Sequence, residues 1–470
     1  MRIAAIDQGT TSTRVLVVES NGSPRIAHAL RHAQHYPQPG WVEHDPLELL
    51  GNVASCIAAA GAVDAIGIDN QGESCLAWDA VSGEPLSPVV VWQDNRTKDV
   101  IERLRAAGAE AVTLARAGLP LDPYFSASKL AWIIETLPAA RTAHAAGRLR
   151  LGTTDAFFLD RLTGRFVTDA TTASRTSLMN LETLRWDEEL CRLFGVPIET
   201  LPEIGPSAGL VIGLAGKIPV TASIVDQQAA LYGHGCRKAG DAKITFGTGA
   251  FALAITDSRI VRNPGIGLLP TVAWQTPGET VYAVDGGVYD AGSAIEWLGR
   301  IGLMNSVDEL QDFVDGPAID HGLVFVPALS GLACPYWDRS AAGLWLGMSA
   351  STTRQQMCQA ALEGIALCTV EVIGAMAQEV AIAQDLSIDG GLSRSPYFSQ
   401  FLADGLGRGV STKSFDELTS LGCASLAALA IGAVLPAIVG GDLAYRPRDV
   451  DRHAWRQRFN QAVGRSRDWR

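Results

Sequence analysis

Two segments of this 470-residue chain carry residues suited to handling phosphate. Near the start, Asp7-Gln8-Gly9-Thr10-Thr11-Ser12-Thr13-Arg14 lies between two β-rich runs, and Phe246-Gly247-Thr248-Gly249-Ala250-Phe251 does the same in the second half. Each reads as a hairpin with a glycine- and threonine-rich tip. Glycine lets backbone N–H groups approach an anion closely, and threonine hydroxyls add donors. Either turn alone is as readily an ordinary tight turn. One in each half suggests two phosphate cradles facing each other across a cleft. Asp7, at the end of a strand, could orient a Mg²⁺-bound water, and Arg14 could neutralise phosphate charge, although a surface salt bridge is its plainer role.

Asp226 opens the segment Asp226-Gln227-Gln228-Ala229-Ala230-Leu231-Tyr232-Gly233, an apolar helical run. It is either a helix cap or the carboxylate that accepts the proton of an attacking hydroxyl. The two roles are compatible, because a carboxylate at a helix start is rigidly held. Asn70-Gln71-Gly72-Glu73-Ser74 follows a strand, where α/β proteins present ligand-binding groups. Trp92 and Tyr124 add aromatic rings bordered by polar residues, the mixture that binds sugars and polyols, although each alone is more often core. Ile388-Asp389-Gly390-Gly391 reads as a strand leading into a glycine pair at a helix entrance. That suits the adenine or ribose end of a nucleotide and is by itself a weak signal.

These groups need a scaffold of alternating strands and helices. Asp45 before Pro46, with Glu48 following, marks a helix start. Residues 65–69 and 89–92 read as strands, and 128–135 and 356–379 as helices. The alternation implies α/β sheets covered by helices. A break near 233–239 divides the chain into domains 1–235 and 236–470, and the length suits two large domains. A hydrophobic content of 47% allows a large core. The net charge of −12 opposes binding to nucleic acid. Eight scattered cysteines fit a reducing compartment, and the acid at position 7 argues against a signal peptide, so a cytoplasmic location is expected. The uncharged stretch 419–441 is interrupted by Ser425, Gly432 and Pro436, and reads as a buried helix ending before Pro436 rather than a membrane span.

Taken in order, DQGTTSTR, YPQPGWVEHDP, VVVWQDNRT, DPYFSASK, DQQAALYG, FGTGAF, GLACPYWD and IDGGLSRS resemble the motifs of FGGY-type carbohydrate kinases, most closely the glycerol kinases, across nearly the whole chain. The resemblance implies two actin-like (ribonuclease H-like) ATPase domains with ATP and acceptor meeting in the cleft between them. It implies that Asp7 helps hold Mg²⁺, that Thr10, Thr11, Ser12 and Arg14 lie along the phosphates, and that Thr248 and Gly249 face them. Gly292, Glu296, Gly391 and Ser395 would lie near the rest of the nucleotide. Asp226 would be the catalytic base, with Gln227 beside it on the acceptor, and Glu73, Trp92, Tyr124 and Phe251 would line the acceptor pocket. Glycerol kinases typically read NQRET where this chain reads NQGES, so Gly72 replaces a glycerol-binding arginine. They also tend to carry Gln and Asn where Glu296 and Ser395 stand. The expected reaction is ATP-dependent phosphorylation of a terminal hydroxyl of a small polyol or sugar, with a four- or five-carbon polyol or ketose as acceptor rather than glycerol. Glycerol kinase proper and a non-catalytic actin-like ATP-binding protein are the alternatives. Neither nucleic acid nor membrane is an expected partner, and a homodimer is compatible with the sequence.

Overall fold

The computed structural model describes residues 1–311, 313, 316–436 and 442–470, and its two main sheets share one plan. In the first, β1 (Ile3–Gln8) and β2 (Ser12–Val18) form an antiparallel hairpin continued by β3 (Pro24–Arg31). On its other side β4 (Ala65–Asn70) runs parallel to β1. The hairpin of β5 (Ala208–Ala215) and β6 (Ile218–Val225) joins through β6, again in parallel. In the second sheet, β7 (Ala242–Phe246) and β8 (Ala250–Asp257) form the corresponding hairpin. The pair β9 (Leu269–Thr276) and β10 (Glu279–Val288) extends it through β10. Parallel strands β11 (Asp385–Gly390) and β12 (Gly409–Thr412) follow on the far side, and β13 (Leu443–Tyr445) forms the edge. The duplicated hairpins of the sequence are thus the centres of two equivalent sheets.

Both sheets are covered by helices, which is why their central strands are apolar on both faces and β4 is buried along its whole length. Helix α1 (Pro46–Ala60) starts as its sequence dictates, with the Asp45 carboxylate accepting from Leu47 N and Glu48 N. Helices α2 (Ala170–Ala173) and α3 (Asp226–Gly233) follow strands at the cleft. On the second sheet lie α4 (Gly292–Arg300), α5 (Arg354–Glu379) and α6 (Pro396–Leu406). Among the described residues α5 is the one helix long and apolar enough to cross a membrane, and 83% of its apolar window is buried inside the fold.

Helix α7 (Leu418–Leu429) departs from the expected division at residue 235. It lies late in the chain yet packs on α3 and on the first sheet, in a core that includes Ile3, Ala5, Ala222 and Leu231. Leu253 and Ile255 of β8 close the same core from the second sheet, so α3 and α7 are the filling between the two halves. An apolar, small-residue helix can be covered on several sides, and no charge ties α7 to its own half. The expected buried helix before Pro436 is present; the end of that uncharged stretch, 437–441, lies outside the described residues.

Candidate active site

The tip of the first hairpin is tied down at Thr10. The Thr10 carbonyl accepts from His32 Nε2 (2.9 Å) and Gln34 Nε2 (3.0 Å), and its hydroxyl accepts from Trp92 Nε1 (3.1 Å). Thr11 remains exposed at the tip and Ser12 is half-buried. Asp7 sits across β1–β2 from Arg14 and, through the parallel pairing of β1 with β4, beside Asp69. Arg14 is not a free cation: it donates to Glu417 at 2.8 and 3.0 Å and to Ser12 Oγ at 3.1 Å, with Asp7 3.7 Å away. Glu417 immediately precedes α7, so this cluster joins the hairpin to the helix between the halves.

Strand β6 ends at Val225 and α3 begins at Asp226, which leaves the carboxylate at the mouth of the cleft with the Gln227 N–H donating to it at 2.6 Å. Asp226 is the first helical residue rather than the cap. Burial, then the charges of Asp7 and Glu73, push its pKa up to about 7, and Lys243 opposes them. Asp69 lies deeper, with both oxygens buried and unpartnered, and burial followed by Asp7 and Asp226 holds its pKa well above the carboxylate range. Lys243, fully buried on β7, donates to Gln227 Oε1 and to Thr245 Oγ1 (2.8 Å), which fixes the neighbour of Asp226 from the opposite sheet.

The second hairpin gathers most of the expected nucleotide residues. Ala291 N and Ser293 N donate to the Thr248 carbonyl, and Gly292 N to that of Gly247, each at 3.0 Å. Gly391 N donates to Phe246 O at 2.9 Å. Thr248, Gly249, Gly292 and Gly391 therefore share one rim, with Glu296 exposed one turn along α4. Ser395 differs: its hydroxyl caps α6, accepting from Phe398 N (3.2 Å) and donating to Leu310 O (3.0 Å). Its side chain is committed to the fold, not left open to a base.

Glu73, Trp92, Tyr124, Asp226, Gln227 and Phe251 all line one cavity of about 180 Å³. Trp92 meets Tyr124 edge to face at 5.6 Å. Glu73 holds a left-handed backbone (φ 60°), uncommon for a residue with a side chain and typical of strained functional positions. Two charged residues that sequence reasoning missed line the same cavity, Arg175 and Asp285. Arg175 Nε donates to Glu73 at 2.7 Å, and its Nη2 lies 3.2 Å from Asp285. The only signal for Arg175 was an arginine in an otherwise apolar and hydroxylic stretch, and nothing local tied it to Glu73. Gly72 also proves less open than expected, because a Cβ there would stand 3.1 Å from Val225 Cγ1. The methyls of Val225 occupy the space beside the missing side chain.

Among the described residues no cluster of three His, Cys, Asp or Glu side chains forms a metal cage. Mg²⁺ in nucleotide sites takes one or two carboxylates and completes its shell with water and phosphate, so Asp7, largely buried but still reached by solvent, fits such an ion.

Twin sheets, each offering a glycine–threonine tip to a shared cleft, form the frame of a two-lobed phosphotransferase. The N-terminal domain of the FGGY family of carbohydrate kinases matches residues 2–233, and its C-terminal domain matches residues 242–431. The chain belongs to this family. It is therefore an ATP-dependent phosphotransferase with an alcohol group as acceptor, built from two actin-like domains. It is 41% identical to the glycerol kinase of Thermus brockianus, across 99% of both chains. It is 39% identical to that of Haloferax volcanii, across 99% of this chain and 98% of the relative. The Plasmodium falciparum glycerol kinase with ADP superposes with a TM-score of 0.90 at 30% identity, covering 99% of this chain and 98% of that one. A xylulose kinase from Rhodospirillum rubrum gives 0.83 at 25% identity, over 98% and 97%.

Proposed function

We propose that this FGGY kinase transfers the γ-phosphoryl group of ATP to a terminal hydroxyl of glycerol. The observation that carries the reading is Asp226, a carboxylate with a pKa near neutrality standing in the cavity between the two phosphate tips. A base so tuned accepts the hydroxyl proton as the oxygen attacks, and ionised carboxylate is regenerated near pH 7. Gln227, held by Lys243, and Glu73 take further acceptor hydroxyls, while Trp92, Tyr124 and Phe251 cover the C–H faces. Thr10, Thr11, Ser12, Thr248 and Gly249 receive the phosphates, and Gly292, Glu296 and Gly391 border the remainder of the nucleotide. Bound Mg²⁺, held by Asp7, would neutralise charge on the transferring phosphates.

The names of the relatives favour glycerol over the four- or five-carbon acceptor suggested by Gly72. Two features of the pocket agree with them. Val225 fills the side that Gly72 opens, and Arg175 supplies a guanidinium next to Glu73. Enough volume remains for a small polyol, about that of six liquid waters at roughly 30 Å³ each. Acceptor-dependent ADP release with glycerol, erythritol, xylitol, ribulose and xylulose tests the assignment. A tenfold or greater preference for a longer acceptor would overturn glycerol, and no acceptor-dependent turnover at all would overturn the kinase reading.

A further inference from the structure

Among the described residues Arg175 is the one cation lining the cavity, and the proposed reaction uses it only as a guanidinium next to Glu73, with no contact to the acceptor assigned. It leaves the end of α2 with a side chain 5% exposed, pinned by one carboxylate from the turn after β4 and one from the second sheet. Nε is paired with Glu73 of the first half, and Nη2 with Asp285 on β10 of the second. The remaining arm, Nη1, is buried and among the described residues has no hydrogen-bond partner. An unmet donor on a buried guanidinium is costly, and a planar fork held at two points cannot turn to find another partner. Glu73 mirrors this: Oε1 is engaged by Arg175, and among the described residues no donor reaches its other oxygen. Both side chains line the cavity, so one unmet donor and one unengaged acceptor belong to paired neighbours there.

We propose that Arg175 is a specificity-determining residue for the acceptor, its Nη1 donating to one hydroxyl oxygen while the free oxygen of Glu73 accepts from the neighbouring hydroxyl. The ligand class this pair reads is a vicinal diol. A carboxylate alone reads only donors and a guanidinium only acceptors, whereas two adjacent hydroxyls satisfy both at once. Asp285 keeps the planar fork aimed, and because it comes from the second sheet, the diol reader is complete only when the two halves are together. The assignment rests on the proposed polyol acceptor and adds to it the group that replaces the arginine absent at position 72.

The test compares kcat/KM for glycerol with that for 1,3-propanediol, which keeps both terminal hydroxyls and lacks the middle one. A site whose buried partners are left unpaired rejects such an analogue strongly, so the native enzyme should prefer glycerol by roughly 10³-fold or more. Arg175→Lys keeps the charge but not the fork. It should narrow that preference tenfold or more and raise the KM for glycerol, leaving the KM for ATP within twofold. A variant that loses thermal stability yet discriminates as well as native enzyme would make Arg175 structural only and overturn the proposal. Should Arg175→Lys fail to fold, Asp285→Asn frees one arm of the fork and should narrow the preference at least threefold; an unchanged ratio there overturns it equally. If no polyol supports turnover by the native enzyme, the proposed function fails and this assignment with it; unchanged discrimination sinks this assignment alone.

Discussion

Helix α3, which carries Asp226, rests on α7 through two glycines, and adding one methyl group there should damage catalysis from a distance. A Cβ on Gly422 would overlap the carbonyl oxygen of Ala229 and stand 2.7 Å from the Gly233 nitrogen, where real Cβ contacts essentially never fall below 3.0 Å. The reverse contact is as tight, since a Cβ on Gly233 would overlap the Leu418 carbonyl oxygen. The obstacle is backbone on both sides and cannot rotate away. Gly422→Ala must therefore part the helices by about 1 Å, a misplacement that costs roughly 10²-fold in rate when it reaches a catalytic group. Ala229 is one turn from Asp226, so little of the shift can be absorbed on the way. Overpacking of this kind also costs about 3 kcal/mol of stability, the upper end of the usual range. The matched control is Gly51→Ala in the interior of α1, where nothing lies within 4 Å of the new methyl. That change should stabilise by about 0.5–1 kcal/mol and leave activity alone. Steady-state kinetics of ADP release and thermal unfolding on the two variants decide the matter. Gly422→Ala with native kcat and a melting temperature equal to that of Gly51→Ala would refute the argument that this contact positions the base.

Asp226 should impose a pH profile: acceptor-dependent kcat/KM rises about tenfold per unit below pH 7 and levels off above it, and Asp226→Asn loses roughly 10²–10⁴ in turnover. The stability effect has the opposite direction. The folded pKa lies above the unfolded value of 3.8, so the stabilisation from holding the proton is full below that value and lost as pH rises through about 7. Asp226→Asn should accordingly gain on native protein in chemical denaturation between about pH 4 and pH 8, and equal pH dependence of the two would count against the shifted carboxyl. Gly72→Arg alone should lower kcat/KM for glycerol by the equivalent of about 1–3 kcal/mol, because Val225 blocks the new side chain, and adding Val225→Gly should recover much of it. An improvement with the single change would show that Val225 is no obstacle. Small-angle scattering should report compaction when nucleotide and acceptor are bound together, as expected of phosphate tips carried on separate sheets; an unchanged radius of gyration argues against closure.

The sequence by itself determined the parts whose chemistry is local. A glycine–threonine tip between β-rich runs needs no distant partner to be recognised, and both hairpins stand where they were read, each at the centre of its sheet. Asp45 caps α1 through backbone contacts two and three residues away. Asp226 was visible for the same reason, as an acid at the junction of an apolar strand and an apolar helix. The ordered motifs carried the family, and the aromatic and acidic lining of the pocket came with them.

What tertiary structure alone decided are the contacts between residues far apart in the chain, for which local pattern holds no information. Arg175 and Glu73 are 102 residues apart, and their pairing depends on α2 being brought against the β4 loop. Asp285 joins them from the other sheet. Val225 closes the space beside Gly72 because two parallel strands place their ends together, Val225 opposite Asn70; reading Gly72 alone, the site seemed larger than it is. Ser395 lost its expected availability to a helix cap, and Arg14 was drawn to Glu417, 403 residues away. Helix α7 shows the same limit at the level of domains. Its small apolar residues are compatible with either sheet, and its close packing on the first sheet, at Gly67 of β4 as well as on α3 at Gly233, commits it there, across the boundary that chain order alone suggested.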